Sequence, residues 1–151
     1  MKFFWLIALF LPIYARSQTN FANSITYLNK IRTQGCYCGD DYKNKANALT
    51  WSDTLAQAAL IHANYLSATG KFSHAQKNIK YKTPLLRVQS VKYSPSTVGE
   101  NIFKGEGGPQ EIIDAWYKSQ THCDNLMYPA FTQVGIAKVN NYWVMILAAK
   151  F

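Results

Sequence analysis

The stretch that decides the fold is residues 49–74, LTWSDTLAQAALIHANYLSATGKFSH. Ser52 or Asp53 can cap a helix at its start, because a side-chain oxygen there accepts a hydrogen bond from a free backbone amide. Apolar residues and one histidine then recur at helical spacing, at Leu55, Ala58, Ala59, His62, Ala63 and Leu66. Gly70 ends the helix, since glycine readily adopts the left-handed conformation that closes one. We therefore predict a helix between this cap and Gly70, with the tripeptide 72–74 just beyond its end.

The flanking sequence predicts further helices. Residues 21–34 carry apolar side chains at three-and-four spacing and stop at Gly35. Residues 83–93 resemble a short helix, with a threonine cap followed by proline, and residues 109–120 begin a helix on proline. Between these helices, residues 36–48 are polar and rich in turn formers, so we predict a loop there.

The pattern changes to strands near the C-terminus. Residues 94–97 are interpreted as a turn, and residues 98–108 as irregular or short extended structure. Residues 131–139 and 142–151 are β-rich and are joined by Asn140 and Asn141, a two-residue hairpin turn. The last run is apolar almost throughout, which is typical of a central strand covered on both faces. Helices followed by a hairpin indicate a single α+β domain.

The N-terminal seventeen residues, MKFFWLIALFLPIYARS, have the layout of a secretory signal peptide. A positive residue starts the segment, an apolar run follows, and small residues stand at the cleavage positions. The run is shorter than the roughly 18 apolar residues that a membrane anchor needs. We expect cleavage near Ser17–Gln18, with an uncleaved anchor as the alternative. The mature domain would then span 18–151, lack a transmembrane segment, and be secreted to an extracellular or periplasmic space.

The formal net charge of the chain is +8. Its lysines are scattered rather than concentrated in one run, and they include Lys43, Lys45, Lys71, Lys77, Lys80, Lys82 and Lys92. An exported protein without a nucleic-acid-binding motif is not expected to bind nucleic acid. We interpret the lysine-rich surface as a solvated face, with weak attraction to anionic cell-surface polymers or lipids.

Three cysteines, Cys36, Cys38 and Cys123, would lie in an oxidising compartment. Three thiols allow at most one intramolecular disulfide and leave one over. A bridge between Cys36 and Cys38 would close a very tight ring, so Cys123 is expected to pair with either of them. A cysteine zinc site is disfavoured, because CYC lacks the two-residue spacer of zinc knuckles and export favours disulfides.

The chain has only three histidines. His62 lies on the apolar stripe of the predicted helix, which favours core packing or a buried hydrogen bond. His74 and His122 each follow a helix end, where a side chain can project into a cleft, and Glu100 lies in a glycine-flanked segment. Two imidazoles and a carboxylate are the ligands of a hydrolytic zinc site with an open position, and they also serve general acid–base catalysis.

Ser119 and His122 are three residues apart and would share a face if the helix continued. A hydrolase built from Ser119, a histidine and Glu100 can therefore be imagined. However, Ser119 lacks the GxSxG turn that exposes such a nucleophile and supplies its oxyanion hole. We favour a helix-terminal serine that makes local hydrogen bonds.

Five motifs follow one another along the chain: LTWSDTLAQAALIHANYL, FSH, GEN, IIDAWYKSQTHCDNLMYPAFTQVGIA and a final YW. This ordered set resembles the CAP superfamily of cysteine-rich secretory, antigen 5 and pathogenesis-related proteins, and its bacterial secreted branch in particular. Within these motifs W-x-x-S-x-x-H-C-x-N is followed by P-x-F-x-x-x-G. The match runs from about residue 49 to 148, and one departure is Lys92, where bacterial relatives often have glycine.

The resemblance implies an α-β-α sandwich with a central antiparallel sheet. It also implies a cleft around two histidines and two acids, which bind a divalent metal such as zinc in some members. The histidines would be His74 and His122 and the first acid Glu100, while Ser119 stands where the second acid would be. The tetrad is thus incomplete.

The same resemblance implies that Cys38 pairs with Cys123 and that Cys36 is the extra thiol. No cofactor is certain, and the family carries many functions on one fold.

Three functional hypotheses follow. The first is a secreted domain that binds an extracellular ligand, lipid or protein partner at the His/Glu cleft, without an established reaction. The second is a divalent-metal-dependent hydrolase of peptide or cell-envelope substrates, in which His74 and His122 hold the metal and Glu100 is base or ligand. The third is lipid binding through an apolar groove.

Overall fold

The computed structural model describes residues 13–151, and its side chains from Phe21 onward. Five helices are present in this part of the chain: α1 Ile13–Gln34, α2 Asp53–Thr69, α3 Pro84–Ser90, α4 Pro109–Lys118 and α5 Gln120–Met127. A 3₁₀ turn covers Ile79–Tyr81. The strands are β1 Cys36–Cys38, β2 Asp41–Lys43, β3 Thr50–Trp51, β4 Pro95–Lys104, β5 Gln133–Val139 and β6 Tyr142–Lys150.

The predicted signal peptide lies largely outside the described residues, and only its last five residues fall within α1. Within residues 13–151, none of the helices combines the length and the apolar character that crossing a membrane requires.

The predicted helix α2 forms as its sequence dictates. Ser52 is the cap, and its side chain accepts a hydrogen bond from the Leu55 amide. Gly70 closes the helix with φ of 68°, in the left-handed region. The predicted hairpin is also confirmed, with Asn140 at φ 53° between β5 and β6.

The four-stranded sheet has the order β3-β5-β6-β4. Strand β6 runs antiparallel to both β5 and β4, and β3 adds a two-residue parallel pair at the far edge. Alternate residues of β6 enter two different cores: Val144, Ile146 and Ala148 pack with α2 and α3, whereas Trp143, Met145 and Leu147 pack with α1, α4 and α5. Helices thus cover both faces of the sheet, and the predicted α-β-α sandwich is confirmed.

Helix α2 lies unusually close to β5. A Cβ atom built on Gly135 would stand 2.1 Å from the backbone nitrogen of Ala56, so only glycine permits this approach. The contact fixes how closely the first turn of α2 approaches the sheet.

Two segments differ from prediction. The predicted loop 36–48 contains a small antiparallel hairpin, β1 with β2. Residues 95–104, predicted as a turn followed by irregular or short extended structure, form one ten-residue strand, so the extended alternative is confirmed and the turn is wrong. Strands β1 and β2 are joined by the two-residue turn 39–40, a local hairpin signal that the loop prediction overlooked. Strand β4, in contrast, gains its ladder from β6, some 45 residues later in the chain.

Candidate functional site

The candidate site is built around Glu100, whose side chain is almost fully buried at the middle of edge strand β4. Both oxygens of its carboxylate are engaged. Oε1 lies 2.8 Å from Nδ1 of His74, and Oε2 accepts a hydrogen bond of 2.6 Å from Nη2 of Arg87. The structure therefore brings two of the predicted site residues, His74 and Glu100, into direct contact.

Arg87, on α3, also belongs to the site, although the sequence pattern did not predict it. Its side chain is fully buried, and besides Glu100 it donates hydrogen bonds to the backbone carbonyls of Tyr81 (2.9 Å) and His74 (3.1 Å). One guanidinium thus joins the strand, α3 and the loop after α2. The sequence signal for this role is that the arginine lies inside the apolar run LLRV. An arginine buried with such a run needs a partner, because arginine is almost never fully buried unless paired.

His62 is fully buried and hydrogen-bonded, as predicted. The amide nitrogen of Gln76 lies 2.9 Å from Nδ1, and Nε2 lies 2.9 Å from the Ser73 carbonyl. An amide N–H can only donate and a carbonyl can only accept, so the ring is neutral with its proton on Nε2. Burial lowers the pKa of His62 to about 4, although the Glu100 carboxylate nearby acts in the opposite direction.

This depressed pKa predicts acid sensitivity. In the unfolded chain His62 binds a proton near its ordinary pKa of 6.5, whereas the folded protein resists protonation down to about 4. Stability is therefore expected to fall between pH 6.5 and 4, by up to about 3 kcal/mol from this residue. Urea unfolding at a series of pH values measures the loss. His62→Gln keeps a hydrogen-bonding side chain but does not titrate, so its profile should be flatter; an equally steep profile would contradict the assignment.

His122 and Ser119 form a second pair, at the start of α5. Ser119 is extended (φ −98°, ψ 117°), ends α4 and begins α5. The post-helix segment in which we predicted His122 is thus the first turn of a new helix. Nδ1 of His122 lies 2.9 Å from Oγ of Ser119. The backbone carbonyl of His122 accepts a hydrogen bond from the side chain of Asn101. The serine makes a local hydrogen bond, as we favoured.

Helix α5 is held in place from below by Arg32 of α1. The buried guanidinium donates to the carbonyls of Leu126, Tyr128 and Phe131, around the C-terminal end of α5. These bonds satisfy backbone oxygens that a helix end leaves unpaired. They also fix the orientation in which α5 presents His122.

The two histidines lie within electrostatic range of each other. Burial lowers the pKa of His122, and the positive charge of a protonated His74 lowers it further. Across residues 13–151, however, the cysteines at 36, 38 and 123 are the only three potential ligand groups whose donor atoms all lie within 4.8 Å of one another. His74, Glu100 and His122 therefore do not form a ready three-ligand metal set.

The family model of the cysteine-rich secretory proteins, CAP, matches residues 25–147, which is most of the chain. The chain belongs to the CAP family. The resemblance inferred from the ordered motifs is thus confirmed.

Three relatives illustrate the match. The uncharacterized protein YkwD of Bacillus subtilis is 30% identical over 99 residues, covering 66% of this chain and 38% of its own length. An extracellular protein with an SCP domain from Bacillus anthracis has a TM-score of 0.75 and 22% identity, covering 89% of this chain and 41% of that one. An outer surface protein of Borrelia burgdorferi has a TM-score of 0.71 and 17% identity, covering 89% and 96%. This CAP domain spans well under half of the two Bacillus proteins.

The disulfide of this CAP domain joins Cys38 on β1 to Cys123 on α5, as the family resemblance implied. It fastens the β1–β2 hairpin to the helix that carries His122. Cys36 remains a free, buried thiol, and burial raises its pKa. Because two of the three clustered cysteines are joined to each other, the cluster is a disulfide with a neighbouring thiol rather than a metal site.

Proposed function

We propose that this chain is an exported CAP domain that binds an extracellular ligand at a cleft formed by His74, Glu100, Ser119 and His122, and does not transform it chemically. The observation that carries the proposal is the anchoring of both imidazoles through Nδ1, by Glu100 and by Ser119. Neither Nε2 atom has a hydrogen-bond partner among the side chains described, which begin at Phe21. Both are therefore available to a ligand.

A divalent cation such as Zn²⁺ is the ligand type that two free imidazole nitrogens favour. A metal-binding histidine usually has its other ring nitrogen bonded to a carboxylate or similar group, which fixes its orientation. The Glu100–His74 pair has this arrangement, and Arg87 holds Glu100 in turn. Nε2 of His74 and Nε2 of His122 would hold the cation, which would offer a Lewis-acid contact to an oxygen of a larger ligand.

A metal-dependent hydrolase is the second candidate, and the same free Nε2 atoms favour it. Against it stands the state of Glu100. Both of its oxygens are already engaged, by His74 and Arg87, and its side chain is only 1% exposed, so an attacking water has little access to it as a base. Ser119 does not replace it as a nucleophile, because within the described chain no carboxylate contacts the second nitrogen of His122.

Export is the remaining part of the proposal. It is supported by the signal-like N-terminal segment and by fold relatives described as extracellular or as an outer surface protein. N-terminal sequencing of protein collected outside the producing cells should begin near Ser17 or Gln18. Retention of the intact N-terminus in the membrane fraction would contradict secretion.

Isothermal titration with ZnCl₂ tests the cation site. The wild-type protein should bind about one equivalent, and His74→Ala/His122→Ala should abolish binding. Glu100→Gln should weaken binding by about 10- to 100-fold, since outer-shell partners of a metal-binding histidine have effects of that size. The matched control Glu106→Gln changes a carboxylate that is 83% exposed and pairs with Lys138, and it should leave the affinity unchanged.

Two results would overturn parts of the proposal. Absence of Zn²⁺ binding at millimolar concentration would remove the cation as ligand. Hydrolysis of peptide or cell-wall substrate by the Zn²⁺-loaded protein, lost in the double variant, would replace the binding function with the hydrolase.

A further inference from the structure

The charge distribution of the chain is uneven in a way that the histidine site does not explain. Residues 54–99 contain no aspartate or glutamate, but they carry five lysines and Arg87. Arg87 is buried and paired with Glu100. The lysines are all exposed, at Lys71, Lys77, Lys80, Lys82 and Lys92. Four of them belong to residues 71–82, which we call the lysine loop.

The lysine loop is held in shape from inside the protein. The backbone amide of Gln76 donates to the carbonyl of Lys82 at 3.0 Å, which closes the segment between them. Asn78 caps the 3₁₀ turn that follows it. Arg87 donates from below to the carbonyls of His74 and Tyr81. The loop is thus a braced structure.

The tip of this braced loop is apolar. Ile79 is 81% exposed, an unusual exposure for a side chain of this type. Phe72, at the start of the loop, is 50% exposed, and Leu85, shortly after it, is 44% exposed. Hydrogen bonds from inside the protein hold the loop in the conformation that exposes Ile79. This exposure does not stabilise the isolated domain.

The lysines of the loop have no ion-pair partner among residues 13–151. Elsewhere Lys43 pairs with Asp124 and Lys138 with Glu106. The loop therefore offers cationic groups and apolar side chains together, with no acid within the loop or its flanking segments to repel an anionic surface.

We propose that the lysine loop is a docking surface for an anionic lipid bilayer. Ile79 would insert below the headgroups while Lys77, Lys80 and Lys82 contact lipid phosphates, since apolar anchors and basic residues together are what peripheral membrane binding requires. A soluble polyanion would satisfy the lysines but would offer nothing to Ile79, so the bilayer is the partner that uses both features. His74 lies in the same loop, so docking would bring the histidine site close to the membrane surface.

Co-sedimentation with vesicles tests this inference without reference to metal or ligand at the histidine site. The wild-type protein should bind phosphatidylglycerol vesicles and not phosphatidylcholine vesicles, and high salt should weaken binding. Each lysine near an anionic bilayer contributes about fivefold in affinity. Lys77→Gln/Lys80→Gln/Lys82→Gln should therefore weaken binding about 100-fold. The matched control Lys30→Gln/Lys45→Gln/Lys118→Gln has the same net charge, and it should bind much more tightly than the loop variant.

The apolar anchor is tested with Ile79→Ser, which should weaken binding by at least about tenfold. Leu60→Ser, a change at another partly exposed leucine on α2, should have no effect. Equal losses in the two triple variants would show general charge attraction and overturn the loop as the docking site. Salt-sensitive binding that Ile79→Ser leaves unchanged would overturn bilayer insertion and leave a polyanion contact instead.

Discussion

Arg87→Met is expected to lower the free energy of unfolding by about 3 to 5 kcal/mol, because it leaves the Glu100 carboxylate buried without its cation. Arg87 and Glu100 are 0% and 1% exposed, and their atoms are 2.6 Å apart. Urea unfolding measures the loss. Lys92→Met removes an exposed lysine shortly after α3 and should change stability by less than about 0.5 kcal/mol.

A double-mutant cycle separates the ion pair from simple loss of packing. Arg87→Met/Glu100→Gln removes both charges, so it should be less destabilising than the sum of the two single changes. Arg87 also holds the lysine loop, so trypsin should cleave Arg87→Met after Lys77 or Lys80 faster than it cleaves the wild type. Additive single effects, with unchanged trypsin sensitivity, would show that Arg87 is neither a charge partner nor a brace.

Cys123→Ser should lower stability by about 2 to 5 kcal/mol, the usual loss for a native disulfide in a small secreted domain. The bridge spans a sequence separation of 85 residues, so its removal frees a long stretch of the unfolded chain. Unfolding of the oxidised protein measures the effect. Cys36→Ser, which leaves the bridge intact, is the control and should be much less destabilising.

Cys38→Ser is expected to behave differently, because Cys36 can form the disulfide with Cys123 instead. Cys36 and Cys38 project from the same face of β1, as residues two apart on a strand do. All three sulfur atoms lie within 4.8 Å of one another. After oxidative refolding, peptide mapping should find Cys36 linked to Cys123, and the stability loss should be smaller than in Cys123→Ser. Two free thiols, with a loss equal to that of Cys123→Ser, would contradict this substitution of partners.

Much of the fold could be predicted wherever a pattern is local. Helix α2 carries its own cap, apolar stripe and closing glycine, so its bounds depend on residues within one segment. The hairpin turn at Asn140 and the double-faced burial of β6 were likewise predicted from adjacent residues. For strand β4, extended structure was only one of two predictions, because its hydrogen bonds go to a distant strand, and its Pro95, Gly99 and Asn101 have low strand propensity.

For the candidate site, too, local sequence patterns predicted some features and only the tertiary structure showed the others. By sequence pattern, the chain itself determined the α+β class, the buried role of His62 and, through its ordered motifs, the sandwich, the family and the Cys38–Cys123 pairing. Only the tertiary structure decided that Glu100 lies between Arg87 and His74. It also decided that a new helix containing His122 begins after Ser119, and that Ile79 is exposed among lysines. The physical reason is that helix caps and apolar stripes act over a few residues, whereas a buried charge finds its partner across elements. The sequence spacing of Arg87, His74 and Glu100 does not predict their contact, which forms only when the sandwich folds.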